Sequence, residues 1–378
     1  LWYMLVILFM VGLIVAVVYL AIYSAQLQFD KTSFAMAAAT VNLFLMETIT
    51  EIIIAYTTAM FMMLIIACYR QDFTILRQRP LRFNEAPRLK RLTRTSVTIS
   101  LILVGALMVG FNLIYLNGLV VSKPLIISHR GVDDGNGVQN TIPALIKTSK
   151  EKPDYVEMDI QVTKDHQFVV MHDPTLKALA GIKKKPSQLT LKQLEKITVR
   201  ENGYAAKIPS FDAYLKAANA HHQKLLVEIK TSSAYTRADT QRFIDLYGAT
   251  LLAHHDQVHT LSYRVMTDLK RLDSKQFVSY ILPYNLTFPH TSANGYTMEV
   301  TTLNDQFVDK ADRYHKTVYA WDIDDTDQMD QMMFMGVTAV ITDNLKEMQD
   351  EAKGNTDHPS YAKLRLTFMN ELSLTGND

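Results

Sequence analysis

The sequence predicts two parts, an all-α transmembrane region over residues 1–122 and an α/β domain over residues 123–350. Long apolar stretches in the first part, and short β-rich runs separated by helical stretches in the second, are the basis of this prediction. Such alternation is typical of a parallel barrel or a doubly wound sheet. The sequence lacks a glycine-rich loop of the nucleotide-binding type, which makes a doubly wound nucleotide-binding sheet the less favoured alternative. We expect residues 351–378 to form a C-terminal tail.

Three stretches of the first part, residues 1–27, 52–69 and 96–121, are predicted membrane spans. Each is apolar and about as long as the roughly 20 residues that cross a bilayer. A signal peptide is the alternative for the first stretch, but this stretch is too long and lacks a basic start and a clear cleavage site. Because the chain begins at Leu1 inside an apolar segment, we expect further spans upstream.

Residues 70–95, between the second and third predicted spans, form a basic loop with eight Lys or Arg residues against Asp72 and Glu85. Short basic loops stay on the cytoplasmic side of a membrane. The third span then leads outward, which predicts a multi-pass protein of the cell membrane with an extracellular domain after Ser122. A surface for lipid headgroups or nucleic acid is the alternative reading of this loop; we expect membrane lipid and no nucleic acid as partners.

Polar side chains lie at the ends of four predicted strands in the second part of the chain. Residues two apart in a strand face the same side, so these groups are expected to point into one site. Burying so many charges without partners would be costly, whereas three carboxylates around a hard divalent cation would offset that cost. A cation and an arginine would hold a phosphate ester, and histidines would move protons. The residues are His129, Arg130, Glu157, Asp159, His172, Glu228 and Lys230.

Each of these motifs also has an ordinary structural explanation, as a surface ion pair, a turn or an internal salt bridge, and only the combination indicates a site. Residues 155–162 and 168–173 lie too close in sequence for a helical crossover. We therefore predict a hairpin with its turn at Lys164 and Asp165, which would place Glu157 opposite His172. The only cysteine is Cys68, so a cysteine-based metal site is excluded.

Across residues 124–350 the sequence resembles the glycerophosphodiester phosphodiesterase family. The resemblance depends on the motifs "HRG", "VEMDIQVTKDHQFVVMHD", "IPSFDAYL", "LLVEIK", "VYAWDID" and "GVTAVITDN", in this order. It implies a TIM (β/α)8 barrel with one early helix missing, and the apolar N-terminal part resembles the subgroup with a multi-spanning membrane domain. The implied roles are a catalytic acid/base pair, His129 and His172, phosphate or substrate contacts by Arg130, Lys230 and Trp321, and Mg²⁺ or Ca²⁺ ligands Glu157, Asp159 and Glu228.

One position departs from the family pattern, because Gln139 stands where the family usually has a glutamate. Asn140 follows it and is expected either to cap the next helix or to orient the site. The resemblance implies hydrolysis of glycerophosphodiesters, lipid-derived or from envelope glycerophosphate polymers, to glycerol 3-phosphate and an alcohol. Further pocket aromatics are expected at Tyr204 and Tyr284. The alternatives are a phospholipase C-like or sphingomyelinase-D-like barrel, or a non-catalytic sensor with a weakened site.

Overall fold

The computed structural model describes residues 32–70, 87–116, 123–284 and 287–357. The chain divides into two compact units, and the second of them is Val121–His358. The described residues of the first unit form two long helices, α1 (Thr32–Arg70) and α2 (Pro87–Leu116). The two helices are in contact with each other, since a side chain added at Gly105 of α2 would meet the Phe44 ring of α1 at 3.5 Å.

Among the described residues, one stretch is long and apolar enough to cross a membrane, Glu47–Ile66 within α1, with a mean hydropathy of 2.0. The predicted span 52–69 belongs to this helix. The apolar part of α2, Thr98–Gly110, is shorter than a full span. Residues 1–27 lie outside the described part of the chain, as do residues 71–86 of the predicted basic loop. A region with three spans is therefore not shown.

The second unit contains a closed barrel of eight parallel strands, which confirms the predicted barrel. The strand bounds are β1 Leu125–Ser128, β2 Tyr155–Val162, β6 Leu225–Ile229, β7 Gln257–Thr260, β8 Val278–Leu282, β9 Gly295–Glu299, β10 Thr317–Trp321 and β11 Ala339–Thr342. Around the barrel the order is β1, β2, β6, β7, β8, β9, β10, β11, and the β1–β2 and β1–β11 pairs close it. The strands are runs of apolar and β-branched residues that are buried on both faces, as parallel strands beneath helices are.

Helices cover the outside of the barrel and pack apolar side chains against the strands. Most begin with a side-chain N-cap; Ser210, for example, accepts a hydrogen bond from the backbone N–H of Ala213. The outer helices are α3 Ile142–Thr148, α6 Phe211–Ala220, α7 Arg237–Phe243, α8 Ala249–His254, α9 Tyr263–Leu272, α10 Asp305–Arg313, α11 Thr326–Met335 and α12 Leu345–Asp357. A π-turn, Ile244–Gly248, joins α7 to α8.

The missing helix is not an early one, which corrects the prediction. The connection from β2 to β6 contains α6 on the barrel exterior. The connection from β8 to β9 is the one that has no helix in its described residues, 283–284 and 287–294. The short early segment is instead a hairpin that extends from β2 before the chain reaches α6.

That hairpin pairs β2 with β3 (Phe168–Val170) in antiparallel fashion, as predicted, but the register is shifted by one residue. Ile160 pairs with Val170, so continuing this ladder would place residue 158, and not Glu157, opposite His172. The physical reason is that the turn has three residues, 164–166, where a two-residue turn was predicted. The Thr163 N–H donates to the Gln167 carbonyl, and His166 within the turn has a left-handed backbone with φ 53°.

Residues 171–209 form a small lobe beside the barrel that has its own apolar core around Met171, Leu179, Leu194 and Ile208. This lobe was not predicted as a separate feature. It contains two short helices and a hairpin: α4 Lys177–Ala180, α5 Leu191–Leu194, β4 Thr198–Glu201 and β5 Tyr204–Lys207.

Candidate active site

Seven of the ten predicted site residues line one pocket at the carboxyl ends of the barrel strands. This is the end at which TIM-barrel enzymes place their active sites. The pocket has a volume of about 230 Å³ and an apolar wall that includes Leu261, Ile281 and Pro283. The predicted residues that it brings together are His129, Arg130, Glu157, His172, Glu228, Lys230 and Trp321.

The tight turn His129–Gly131 directly after β1 positions the first histidine and the arginine. Arg130 has a left-handed backbone with φ 50°, and its N–H donates to Glu157 Oε2 at 3.0 Å. Gly131 follows with φ 67°, and a Cβ atom there would lie 2.8 Å from the Tyr214 hydroxyl. Only glycine fits this place, so the His-Arg-Gly motif fixes His129 and Arg130 at the pocket by backbone geometry.

His129 lies against two carboxylates that the sequence analysis did not single out. Its Nδ1 is 3.0 Å from Asp343 Oδ1 and 3.5 Å from Asp322 Oδ1. Burial by itself would lower the pKa of His129. The hydrogen bond to Asp343 and the charges of Glu157 and Asp322 outweigh burial and raise this pKa to about 9. His129 is therefore a protonated imidazolium near neutral pH, with its Nδ1–H donated to Asp343.

His172 has the opposite proton state. Its Nδ1 is 3.0 Å from Asp173 Oδ1, and its Nε2 is 3.0 Å from Arg130 Nη2. A guanidinium nitrogen can only donate, so Nε2 of His172 is the accepting atom. Burial lowers the pKa of His172, and the positive charges of Lys230 and Arg130 act in the same direction. His172 is thus a neutral imidazole with a lone pair at the pocket.

Three buried groups could hold a cation, and one of them was missed in the sequence. Ligand atoms of Glu157, Glu228 and His259 lie within 4.8 Å of one another. Both ring nitrogens of His259 are buried without a hydrogen-bond partner in the described part of the chain, and one lies 3.4 Å from Glu157 Oε1. Two carboxylates and an unpartnered imidazole fit a divalent cation. His259 is the second residue of the run "VHTLSY" (258–263), which was predicted as a strand, and a histidine in a strand run was the available signal.

Asp159, the third predicted ligand, is already bound by protein groups. Its Oδ2 accepts from Asn140 Nδ2 at 2.7 Å, and its Oδ1 is 3.0 Å from Lys230 Nζ. Burial favours the neutral acid, but Lys230, His172, Arg130 and Asn140 outweigh it and keep the pKa of Asp159 below its usual range. Asn140 also accepts from the Asp159 N–H at 3.0 Å, so two hydrogen bonds join it to Asp159, and its role in orienting the site stays a prediction.

Lys230 bridges two carboxylates at the pocket wall. Its Nζ lies 2.9 Å from Glu228 Oε1 as well as 3.0 Å from Asp159 Oδ1. Burial would lower the pKa of Lys230, but these two charges raise it above its usual range. Burial, together with the nearby Asp159, raises the pKa of Glu228 to about 7. The raised pKa of Glu228 means that burial and Asp159 disfavour its charged form even beside Lys230, and a bound cation would relieve this.

Gln139 lies outside the pocket lining and supports it through Arg130. Its Oε1 accepts from Arg130 Nη1 at 2.9 Å, and its Nε2 donates to Glu201 Oε1 at 2.6 Å. The Gln139 N–H also donates to Glu201, at 2.9 Å. Glu201 belongs to β4 of the lobe, and nothing in the sequence pattern linked this distant residue to the site.

Of the three aromatic residues expected in the pocket, the structure places one there. Trp321, at the end of β10, lines the pocket. Tyr204 is exposed on β5, where Lys147 Nζ lies 5.0 Å from its ring centre, and Tyr284 is exposed after β8. Neither tyrosine is among the described residues that line the pocket. Leu261, Ile281, Pro283 and Ile341 form an aliphatic face of the pocket, which a linear sequence cannot indicate.

Solved structures with the same fold share the barrel. A glycerophosphodiester phosphodiesterase from Parabacteroides distasonis matches with a TM-score of 0.55 at 23% identity, over 62% of this chain and 99% of that chain. A phosphodiesterase from Oleispira antarctica, solved in complex with the product sn-glycerol 3-phosphate, matches with a TM-score of 0.53 at 17% identity, over 63% and 99% of the two chains. At these identities the likeness shows the fold.

Sequence comparison leads to the same family. A glycerophosphodiester phosphodiesterase of Caldanaerobacter subterraneus is 22% identical over 231 residues, which cover 59% of this chain and 95% of that protein. The model of the glycerophosphoryl diester phosphodiesterase family matches residues 129–347, more than half of the chain and all of the pocket described above. The chain therefore belongs to the glycerophosphoryl diester phosphodiesterase family, and it is a phosphoric diester hydrolase.

Proposed function

We propose that this protein is a metal-dependent glycerophosphodiester phosphodiesterase that releases glycerol 3-phosphate and an alcohol. The observation that supports this most is a pair of histidines in one pocket with different partners: His129 Nδ1 lies 3.0 Å from Asp343 Oδ1, and His172 Nε2 lies 3.0 Å from the donor Arg130 Nη2. Hydrolysis of a diester needs a base at the attacking oxygen and an acid at the leaving oxygen. The pair supplies both at neutral pH.

The roles of the chain's own residues follow from these contacts. Arg130 and Lys230 bind the phosphoryl oxygens, and Arg130 releases His172 Nε2 when it does so. His172 takes the proton of the attacking hydroxyl, which belongs to water or to the substrate glycerol. As the new P–O bond forms and the old one breaks, His129 donates its Nε2 proton to the leaving alkoxide. If glycerol attacks, water then opens the cyclic phosphate with the two histidines in exchanged roles.

We propose Mg²⁺ or Ca²⁺ as the cation. Glu157 and Glu228 would supply the oxygen ligands that these ions prefer, with His259 beside them, and Asp159 would support the ion from the Lys230 side. When bound, the cation would neutralise the phosphoryl oxygens and polarise the phosphorus centre. The buried carboxylates of Glu157 and Glu228, and the His259 nitrogens that have no hydrogen-bond partner among the described residues, support this proposal.

The test is product identification with the purified full-length chain, Mg²⁺ or Ca²⁺, and glycerophosphoglycerol. We expect glycerol 3-phosphate and glycerol in equal amounts, with the appearance of the phosphate monoester monitored by phosphorus NMR. Accumulation of a stable cyclic phosphate would instead identify a phospholipase C-like or sphingomyelinase-D-like lyase. Absence of turnover with either cation would leave the binding or sensing module as the remaining interpretation.

We further propose that the barrel is held at a cell membrane and faces outward. The apolar stretch Glu47–Ile66 supports membrane attachment, and the basic composition of residues 70–95 supports a cytoplasmic position for that segment. An outward-facing hydrolase would encounter lipid-derived diesters and glycerophosphate polymers of the cell envelope. These are the two substrate sources that we propose.

A further inference from the structure

The lobe carries an unusual concentration of positive charge. Residues 171–209 contain eight Lys or Arg residues and three acidic ones, Asp173, Glu195 and Glu201, although the globular part as a whole is slightly acidic. We call residues 171–209 the lysine lobe. Its basic residues are Lys177, Lys183, Lys184, Lys185, Lys192, Lys196, Arg200 and Lys207.

A groove of about 500 Å³ runs between the lysine lobe and the segment that follows β6. Lys185 and Ser187 line it on the lobe side, and Thr231, Ser232 and Ser233 line it on the barrel side. The described residues that line this groove include no Asp or Glu. Hydroxyl groups and an ammonium without a competing carboxylate are the donors that bind a phosphate group.

The groove borders the active site, because His172 and Lys230 line both cavities. Lys185 makes no ion pair within the described part of the chain. Its backbone is fixed, since its N–H donates to Gln188 Oε1 at 2.9 Å in a short capping turn. The Lys185 ammonium is therefore available to a ligand that extends from the pocket past His172.

We propose that this groove is a subsite for a second phosphate group of the substrate. The inference rests on the proposed function and names its substrate class. The inference takes the alternative in which the substrate glycerol supplies the attacking hydroxyl, so that this glycerol lies beside His172 and the second phosphate is attached to its far primary hydroxyl. Such a substrate is an internal link of a glycerophosphate chain, and its cleavage leaves the new phosphate monoester on a glycerol that keeps its second phosphate. The protein is thus suited to cut within a polymer.

The experiment compares two substrates that differ by one phosphate. One is the p-nitrophenyl diester of glycerol 3-phosphate, and the other carries an additional phosphate on the far glycerol hydroxyl. The full-length chain should have a kcat/KM at least about fivefold higher for the phosphorylated substrate, with a preference that declines as salt screens the lysines. Lys185→Gln should remove most of this preference, whereas kcat/KM for the simpler substrate should change less than about twofold.

Lys192→Gln is the matched control, since Lys192 is an exposed lysine of the same lobe that does not line the groove, and it should keep the preference. Equal kcat/KM values for the two substrates, or an equal loss for both in Lys185→Gln, would overturn the subsite. A third diester carries the extra phosphate on the leaving alcohol and should show no Lys185-dependent preference. If it did show one, the second phosphate would bind on the leaving-group side, and the proposed subsite would be wrong. Failure to turn over any substrate would refute the proposed function itself.

Discussion

Glu201 Oε1 lies 2.6 Å from Gln139 Nε2, and Gln139 Oε1 in turn accepts from Arg130 Nη1 at 2.9 Å. A carboxylate on the lysine lobe is thus linked through an amide to Arg130, the arginine proposed to bind phosphate. At position 139 the family resemblance leads us to expect a glutamate, and Glu201 places a negative charge one side chain further away. Two carboxylates at these positions would repel each other, so glutamine at 139 is consistent with glutamate at 201.

This relationship predicts a charge-exchange rescue. Glu201→Gln should raise KM about tenfold, because Gln139 loses its charged partner and Arg130 is held less firmly, with a smaller change in kcat. Gln139→Glu should also be impaired, since it places a second carboxylate beside Glu201. The double variant, which combines Gln139→Glu with Glu201→Gln, should recover most of the loss. Glu195→Gln, at an exposed position of the same lobe, is the control; additive losses in the double variant would contradict the coupling.

The proposed cation site predicts that chelation abolishes activity. Glu157→Ala and Glu228→Ala should each abolish activity as well. His259→Ala should weaken cation binding, measured by calorimetry, about 10- to 100-fold if the imidazole is a ligand. Asp159→Ala should also abolish activity, because Lys230 and Asn140 would lose their shared partner. His254→Ala, at an exposed histidine, is the control. Full activity in excess chelator would refute the metal dependence.

The histidine pair predicts the pH dependence of kcat/KM. The base His172 must be neutral, so the rate should rise with pH through its pKa, which lies below the usual value of about 6.5. The proposed acid His129 must be protonated, so the rate should fall as pH rises through its pKa, which is about 9 without a cation. A cation on Glu157 would offset one of the charges that raise this pKa, so with the cation the fall should begin at a lower pH. The full-length chain with saturating cation should therefore show a plateau between these limits. A maximum confined to pH below 6 would contradict the assignment.

The separate roles of the histidines predict a selective rescue. His129→Ala and His172→Ala should each reduce the rate by about 10²–10⁴ while both variants still bind the cation. A nitrophenolate leaving group needs no proton, so it should restore much of the rate in His129→Ala and little in His172→Ala. The double variant should be little worse than the worse single one. Rescue of His172→Ala instead would reverse the two roles.

The proposed orientation predicts that protease added to intact cells removes the barrel domain. The basic segment 70–95 should stay protected until the cells are lysed. One epitope tag placed after the barrel and another within residues 71–86 would report, in one experiment, which of the two segments the protease reaches. Protection of the barrel in intact cells would contradict the outward orientation.

Much of the site was predictable because barrel strands are local features. The four predicted strands that carry polar groups all form, and His129, Glu157, His172 and Glu228, which lie in or directly after them, line one pocket. A run of buried apolar residues and a side-chain period of two are properties of a few consecutive residues. The same local pattern places each polar residue within its strand or directly after it.

Tertiary structure alone decided what depends on contacts across the barrel. The β2–β3 register differs by one residue from the prediction, because a single extra residue in a turn shifts a whole ladder. His259 meets Glu157 and Glu228 only because β7 lies beside β6 and β6 beside β2 in the closed sheet. Glu201 reaches Gln139 from 62 residues away. The sequence by itself determined the strands and most of the reactive groups; barrel closure decided which of those groups share a pocket, since closure brings together residues that no short-range pattern relates.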